Sequence, residues 1–587
     1  MTYARCALLV LVAATACSRD RTGDAAGQGA RDGEREAATP VAAEKAVAGE
    51  GARAQAGAFE DETRSPQARD HFRRGMRALH AFWYEEATRQ FEAAIAADGG
   101  FVMARWGLVM SKSKILWGDD DLTGGRGALA QLPPSSSLSP RDRAWVEAAR
   151  ALFGEGNVRT SRKAFADAME QVHARFPDDE SATFLALALL ATTRPEDPKG
   201  DAVRRRAADL AMEVYRRNPD HPGAAHYAIH ALDTPELAHL ALPMAVRYAA
   251  IAPEAYHARH MPAHIFARLG MWKEAMASCR SAWDASVAWA AREKLPADHH
   301  DYHSLSWIIE MSFERGRRAD ADAAMKLFSG AVKAGLNHQN RTAYAGQVAS
   351  YLARTGEWKR ADELLAPLDA PATDDPPGGG KSGAGATACA QHAPQASGLP
   401  LGLIERRAAL GARTRAASGR RDLAATRRLI ADRAALDKEL QPFLAATQPP
   451  DALAKLERNR AQADAAMIAR ARGDDRGLLA PLEALVQSSQ AEYAAEGTAG
   501  GSLAGEELAD ALLRLGRAKE ALAAYQVVLS AHAGRARSLL GAARAARRAG
   551  DAAAARTSYE KLLAVWSEAD EGTDGLAEAR RAVAAAR

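Results

Sequence analysis

The chain is short of cysteine, of strand-like alternation and of long apolar runs, and each shortage narrows what it can be. Four cysteines in 587 residues are too few for a disulfide-built scaffold. Stretches that alternate apolar and polar side chains with period two are absent, while Ala, Leu, Arg and Glu are abundant, so the expected class is all-α. The apolar run near the start, Cys6 to Ala16, spans eleven residues, too short to cross a bilayer as a helix. Net charge is only +3 with 26% charged residues, so no global field points to nucleic acid or to an acidic partner. No HExxH helix or nucleophile elbow is present. With 47% hydrophobic residues the chain still has ample apolar surface to bury, as several domains or as one long array.

Histidine is what the chain has in excess, and in one place. Ten of its sixteen histidines lie between His221 and His303, where even scattering would put about two. His226 and His260, His230 and His264, and Ala241 and Ala275 are each separated by 34 residues, a period that fits a repeated helix-turn-helix unit. Within each unit the two histidines are four apart and so share one helical face. Packed helices lie roughly 8–10 Å apart, which lets four imidazoles point into one space. His226, His230, His260 and His264 are therefore expected to bind one divalent transition metal together, with His303 from the following unit as a further ligand. His257, His299 and His300 are additional donors, and Asp233, Asp298, Asp301 and Glu310 are available to orient the rings. All-histidine ligation suits Zn, Cu or Ni better than Mg or Ca, with Fe left open. Pro262 would interrupt a helix running through the second unit, so the helix either kinks there or starts near Met261, leaving His257 and His260 to approach from a loop.

Gly270, Trp272 and Ala275 in RLGMWKEAMASC resemble the turn and second helix of a tetratricopeptide repeat. With the turn glycine numbered fifteenth, His226 and His260 are fifth and His230 and His264 ninth. The resemblance implies that these positions line the concave groove. HPGAAHYAIH and HMPAHIFARLG further resemble a bacterial lineage of histidine-rich repeat lipoproteins. Gly516 and Gly550, Ala521 and Ala555, and Tyr525 and Tyr559 repeat the 34-residue spacing without groove histidines. His532, in that region, is expected to serve as a control whose replacement changes neither metal affinity nor helicity.

Taken in order, residues 1–17 read as a signal peptide. Ala14-Thr15-Ala16-Cys17 resembles the lipobox of bacterial lipoproteins, which implies lipidation at Cys17. Residues 18–65 hold almost no large apolar side chain and read as a disordered tether. Helical repeats are expected over 66–370, with the histidine-rich centre at 221–303, and again over 403–587. The stretch 371–402 reads as a flexible linker. Its GGGKS is not a phosphate-binding loop, because the required glycine is Asp375 and no strand precedes it. After cleavage and acylation only Cys279 and Cys389 remain as a conceivable disulfide.

The expected fold is thus a tetratricopeptide-type superhelix, an α-solenoid in two segments. The expected function is that of a membrane-tethered repeat protein whose concave groove binds a divalent transition metal, a protein or peptide ligand, or both. Its place would be the cell envelope, lipid-anchored on the outer side of the cytoplasmic membrane or at the outer membrane, with no nucleic-acid partner. One alternative is a metal-dependent enzyme that activates water or oxygen at the histidine cluster. Another is a metal-free protein-protein interaction scaffold.

Overall fold

Helix follows helix because apolar side chains recur at three- and four-residue spacing, and glycines in the left-handed region close the turns. The computed structural model describes residues 59, 63–117, 120–154, 158–193, 200–374, 400–447, 450–489 and 503–585. Among these there is no strand, and the molecule is an all-α helical-repeat solenoid. Each helix packs chiefly against its neighbours in sequence, as in Pro222–Leu232 on Ala238–Ile251 and Ala536–Arg548 on Ala552–Val565. No described helix is long and apolar enough to cross a membrane. The helices run from Pro66 to Leu365, followed by a 3₁₀ turn to Asp369, and resume at Leu401. The signal-peptide region, Cys17 and Cys389 lie outside the described residues, as does all of the tether before Phe59.

The 34-residue turn has one recurring geometry. Gly270, Gly516 and Gly550 have φ of 72°, 79° and 81°. Each is followed by a backbone bond that spans the turn: Met271 N–H to the Phe266 carbonyl (2.8 Å), Arg517 to Leu512 (2.9 Å) and Asp551 to Ala546 (2.9 Å). This is a Schellman cap, which needs a left-handed residue and is cheapest with glycine. The turn after Pro66–His80 makes the same bond, Trp83 N–H to Ala78 at 2.9 Å, but its left-handed residue is Phe82, with φ 55°. A phenylalanine there is strained, and such strain persists only where the surroundings hold it.

Two features depart from the linear reading. Phe59 and Thr63, within the stretch expected as tether, are buried to 1%. Phe59 packs edge-on against Trp145 at 5.0 Å, and the Thr63 hydroxyl donates to Asp98 at 2.6 Å. The C-terminal repeats also fold back onto the turns of the histidine-bearing region. Trp272 Nε1 donates to the Gly534 carbonyl (2.9 Å), Trp566 Nε1 to the Glu314 carbonyl (3.1 Å), and Asp570 N–H to the Gly316 carbonyl (2.9 Å). Charges are buried in this seam: Glu314 meets Arg354 at 2.8 Å and accepts from Ala536 N–H at 2.7 Å, while Arg535 pairs with Glu506 at 2.8 Å. Burial raises the Glu506 carboxyl, but Arg535 outweighs it and brings the group down to about 2.

Candidate metal centre

Four short helices carry the histidines. Pro222–Leu232 presents His226 and His230 one turn apart, and its first turn is closed by His221, whose Nδ1 accepts from Ala224 N–H at 3.2 Å. Tyr256–His260 carries His257 and His260, Pro262–Arg268 carries His264, and Tyr302–Glu314 carries His303. The helix restarts at Pro262, its first residue, where the missing N–H costs nothing. His257 and His260 nevertheless approach from a helical turn rather than a loop, because Met261 keeps helical torsions of −53° and −36° across the junction.

The six rings form two triads rather than the single four-ring set expected from the repeat register. His226, His230 and His257 make one, and His260, His264 and His303 the other; within each, the ligand atoms lie within 4.8 Å of one another. His226 Nε2 is 3.1 Å from His230 Nε2 and 3.2 Å from His257 Nε2. His260 Nε2 is 3.0 Å from His264 Nε2. Each triad is thus an i, i+4 pair completed by a histidine from the next unit. The repeat register pairs His226 with His260 in sequence, but in the fold His257, one turn earlier, joins the first pair, while His260 groups with His264 and His303. The triads are adjacent, with the rings of His257 and His260 6.4 Å apart.

Hydrogen bonding at Nδ1 sets which nitrogen of each anchored ring is left with a lone pair. His226 Nδ1 donates to the His80 carbonyl at 2.6 Å, and His264 Nδ1 donates to Asp233 at 3.0 Å. His260 Nδ1 is 2.9 Å from Ser304 Oγ, whose own hydrogen goes to Asp301, so the ring donates there as well. In their neutral form the anchored rings therefore keep the lone pair on Nε2. Asp233 also accepts from Arg268 at 2.8 Å; burial raises its carboxyl, but Arg268 and His264 together hold it well below the usual carboxylate range. Burial first, and then neighbouring rings, push His226, His257 and His260 well below the ordinary imidazole value, and His230 down to about 3. These interactions cross between triads, since His264 acts on His230 and His257.

The resemblance implied an open groove, yet His226 is 0%, His260 1% and His264 7% exposed. The cover comes from the strained turn: the Phe82 ring lies 4.3 Å from His226 and 5.7 Å from both His230 and His257. The same turn supplies the His80 carbonyl. Trp307 closes the second triad, 5.2 Å from His260 and 4.7 Å from His264. His299 packs against Trp289 and His300 against Trp283, outside either triad. Glu310 serves the seam instead, bonded to Gln347 (3.0 Å) and Arg354 (2.9 Å). Asp298 holds Asn337, the residue that caps the helix His338–Thr355, by accepting its backbone N–H at 2.7 Å. Cys279 is buried, its sulfur 3.7 Å from His260 Nδ1. His532 is buried too; burial, then Arg535 and Arg268, lower its pKa while Asp233 opposes them, so it feels the site's own charges and is no remote control.

A third group, His80, Glu180 and His221, was not anticipated, because its members are 100 and 41 residues apart and share no register. The His80 Nε2–H donates to Glu180 at 2.9 Å, and its Nδ1 takes the Tyr227 hydroxyl at 2.9 Å. His221, having spent its Nδ1 lone pair on the helix cap, carries its proton on Nε2, 3.5 Å from Glu180. These bonds are mutually consistent without a metal, and His221 has no lone pair to offer one. The group braces His80, whose carbonyl orients His226.

No protein-family model matches the chain, and no curated protein does. Solved helical-repeat structures do. The TPR domain of P58(IPK) is 14% identical over 70% of this chain and 99% of its own, with a TM-score of 0.20. The Cut9–Hcn1 hetero-tetramer of the APC/C is 12% identical over 76% and 92%, with a TM-score of 0.24. Human IFIT1, in a dimer with m7Gppp-AAAA, is 11% identical over 86% and 95%, with a TM-score of 0.29. Likenesses this distant assign no ligand to the present chain.

Proposed function

We propose that this protein is a lipid-tethered helical-repeat protein of the cell envelope whose buried histidine centre binds a transition metal. One observation carries the reading. With both rings neutral and anchored through Nδ1, Nε2 of His260 and of His264 hold lone pairs and face each other at 3.0 Å. Two lone pairs at that distance repel unless a cation lies between or beside them. Burial, followed by His303 and His264, pushes His260 well below its usual value, so that ring does not take up a second proton. Two nitrogens bound to one ion at 2.0–2.1 Å are roughly 3–3.4 Å apart, which the spacing matches. His226 repeats the pattern, because its one Nε2 lone pair faces two ring nitrogens and can accept from only one.

Metal analysis of the purified full chain at neutral pH tests the reading. Bound Zn, Cu, Ni or Fe is expected, with affinity reduced in His226→Ala and His260→Ala while helicity is retained. A wild-type protein that takes up none of these ions would leave the metal-free scaffold, a solenoid surface that binds a protein or peptide, as the better account. Water or oxygen activation is the second reading, favoured by three-histidine sets that leave coordination positions open. Tethering is tested separately: Cys17→Ser should move the protein from the membrane fraction to the soluble one.

A further inference from the structure

Resting on the metal reading above, we propose that the two triads hold two copper ions side by side, as a pair sharing one small bridging ligand such as hydroxide. Each triad is a complete three-nitrogen set with its own anchors: the His80 carbonyl behind His226, and Asp233 and Ser304 behind His264 and His260. Neither triad borrows a ring from the other, so one ion does not satisfy both. The two sets adjoin through His257 and His260, adjacent members of one helical turn, whose rings are 6.4 Å apart with planes 30° from parallel. An ion in each set leaves at least one coordination position unfilled by protein, and a bridge between neighbouring ions fills both at once.

Charge selects the metal. All six donors are neutral imidazoles, and Asp233, the carboxylate bonded directly to a triad ring, is already paired with Arg268 at 2.8 Å. Two divalent ions would bring four positive charges into this dry space, and two cuprous ions only two. The cost of burying charge rises with the square of the charge, so the cuprous pair is the more readily held in the resting state. Imidazole nitrogen is a suitable donor for copper, and of the metals it suits, copper has the singly charged state that lowers this cost. Phe82 packs on the first triad and Trp307 on the second, and these apolar rings limit how far water can solvate the ions.

The test loads the metal-free full chain with cuprous ion under anaerobic conditions. The loaded protein is then oxidised with ferricyanide, each copper giving one electron to one ferricyanide. Two copper ions per chain are expected, and after oxidation an electron paramagnetic resonance signal far below two spins, because a shared bridge couples the ions. His230→Ala and His303→Ala, which strike different triads, should each retain one copper and show a full one-spin signal; circular dichroism checks that both variants are folded. Two coppers with a two-spin signal in the wild type would overturn the pair. So would a single copper abolished by either variant, or a single zinc with no copper, and in those cases metal binding itself stands. Uptake of no metal at all would instead bring down the reading on which the pair rests.

Discussion

Asp233 shows how much of the centre hangs on one side chain. It ends the helix Pro222–Leu232, in a turn where position fifteen is Glu236 rather than glycine, and its two oxygens take His264 Nδ1 and Arg268 Nε. Asp233→Asn should weaken metal binding by about 10–100-fold, the usual cost of losing a group that orients a ligand. It should also destabilise the fold by roughly 3–5 kcal/mol, since Arg268 would be left buried without its carboxylate. Isothermal titration and urea denaturation read the two effects, and unchanged affinity would show that His264 is no ligand. His239, which is exposed, is the proper control in place of His532: His239→Ala should alter neither quantity.

The element on which the site depends is the turn between Pro66–His80 and Tyr84–Ala97. Its left-handed position holds Phe82 where the matching turns hold glycine, and the ring that costs strain there covers the first triad. Phe82→Gly should relieve about 1–2 kcal/mol of backbone strain while giving up about 1.5–3 kcal/mol of ring burial, for a small net loss of stability. Metal release, followed with a chelator, should become faster because solvent then reaches His226 and His230. A release rate equal to the wild type would mean that the ring has no gating role. Gly270→Ala tests the opposite turn. Its φ is 72°, and an added Cβ would come within 2.8 Å of the Ala533 carbonyl. A loss of about 1–3 kcal/mol is expected in thermal unfolding, along with easier proteolysis of the C-terminal repeats as the seam loosens.

For the whole molecule, burial of so many imidazoles makes stability depend on pH. His532 is held at about 3 by burial, then by Arg535, against an unfolded value near 6.5. A group lowered on folding takes up its proton more readily in the unfolded chain. Its contribution is therefore complete above pH ~6.5 and is lost as pH falls toward 3, at about 1.4 kcal/mol per unit for a single ring. His226, His257 and His260 act in the same direction. The Tm of the metal-free protein should fall steadily between pH 7 and 5. A flat profile over that range would mean the rings are not buried in solution.

The 34-residue spacing, the turn glycines and the absence of period-two alternation were enough to read the helical class and the repeat, because these are local properties that neighbouring residues settle among themselves. The same spacing picked out His226, His230, His260 and His264, though as a single set, and the excess of histidine added His257 and His303. How six rings divide into two triads was not legible. That division depends on where the turn Tyr256–His260 lies relative to Pro222–Leu232 and Tyr302–Glu314, which no spacing along the chain records. The anchors His80, Phe82 and Ser304 were equally hidden: His80 and Phe82 come from a helix pair more than a hundred residues upstream, and Ser304 carries no pattern of its own. Sequence by itself determined which residues have the chemistry and which share a helical face. Tertiary packing decided which faces are buried, which ring nitrogens keep their lone pairs, and that the C-terminal repeats close against the centre, because those outcomes depend on contacts between segments that no local spacing records.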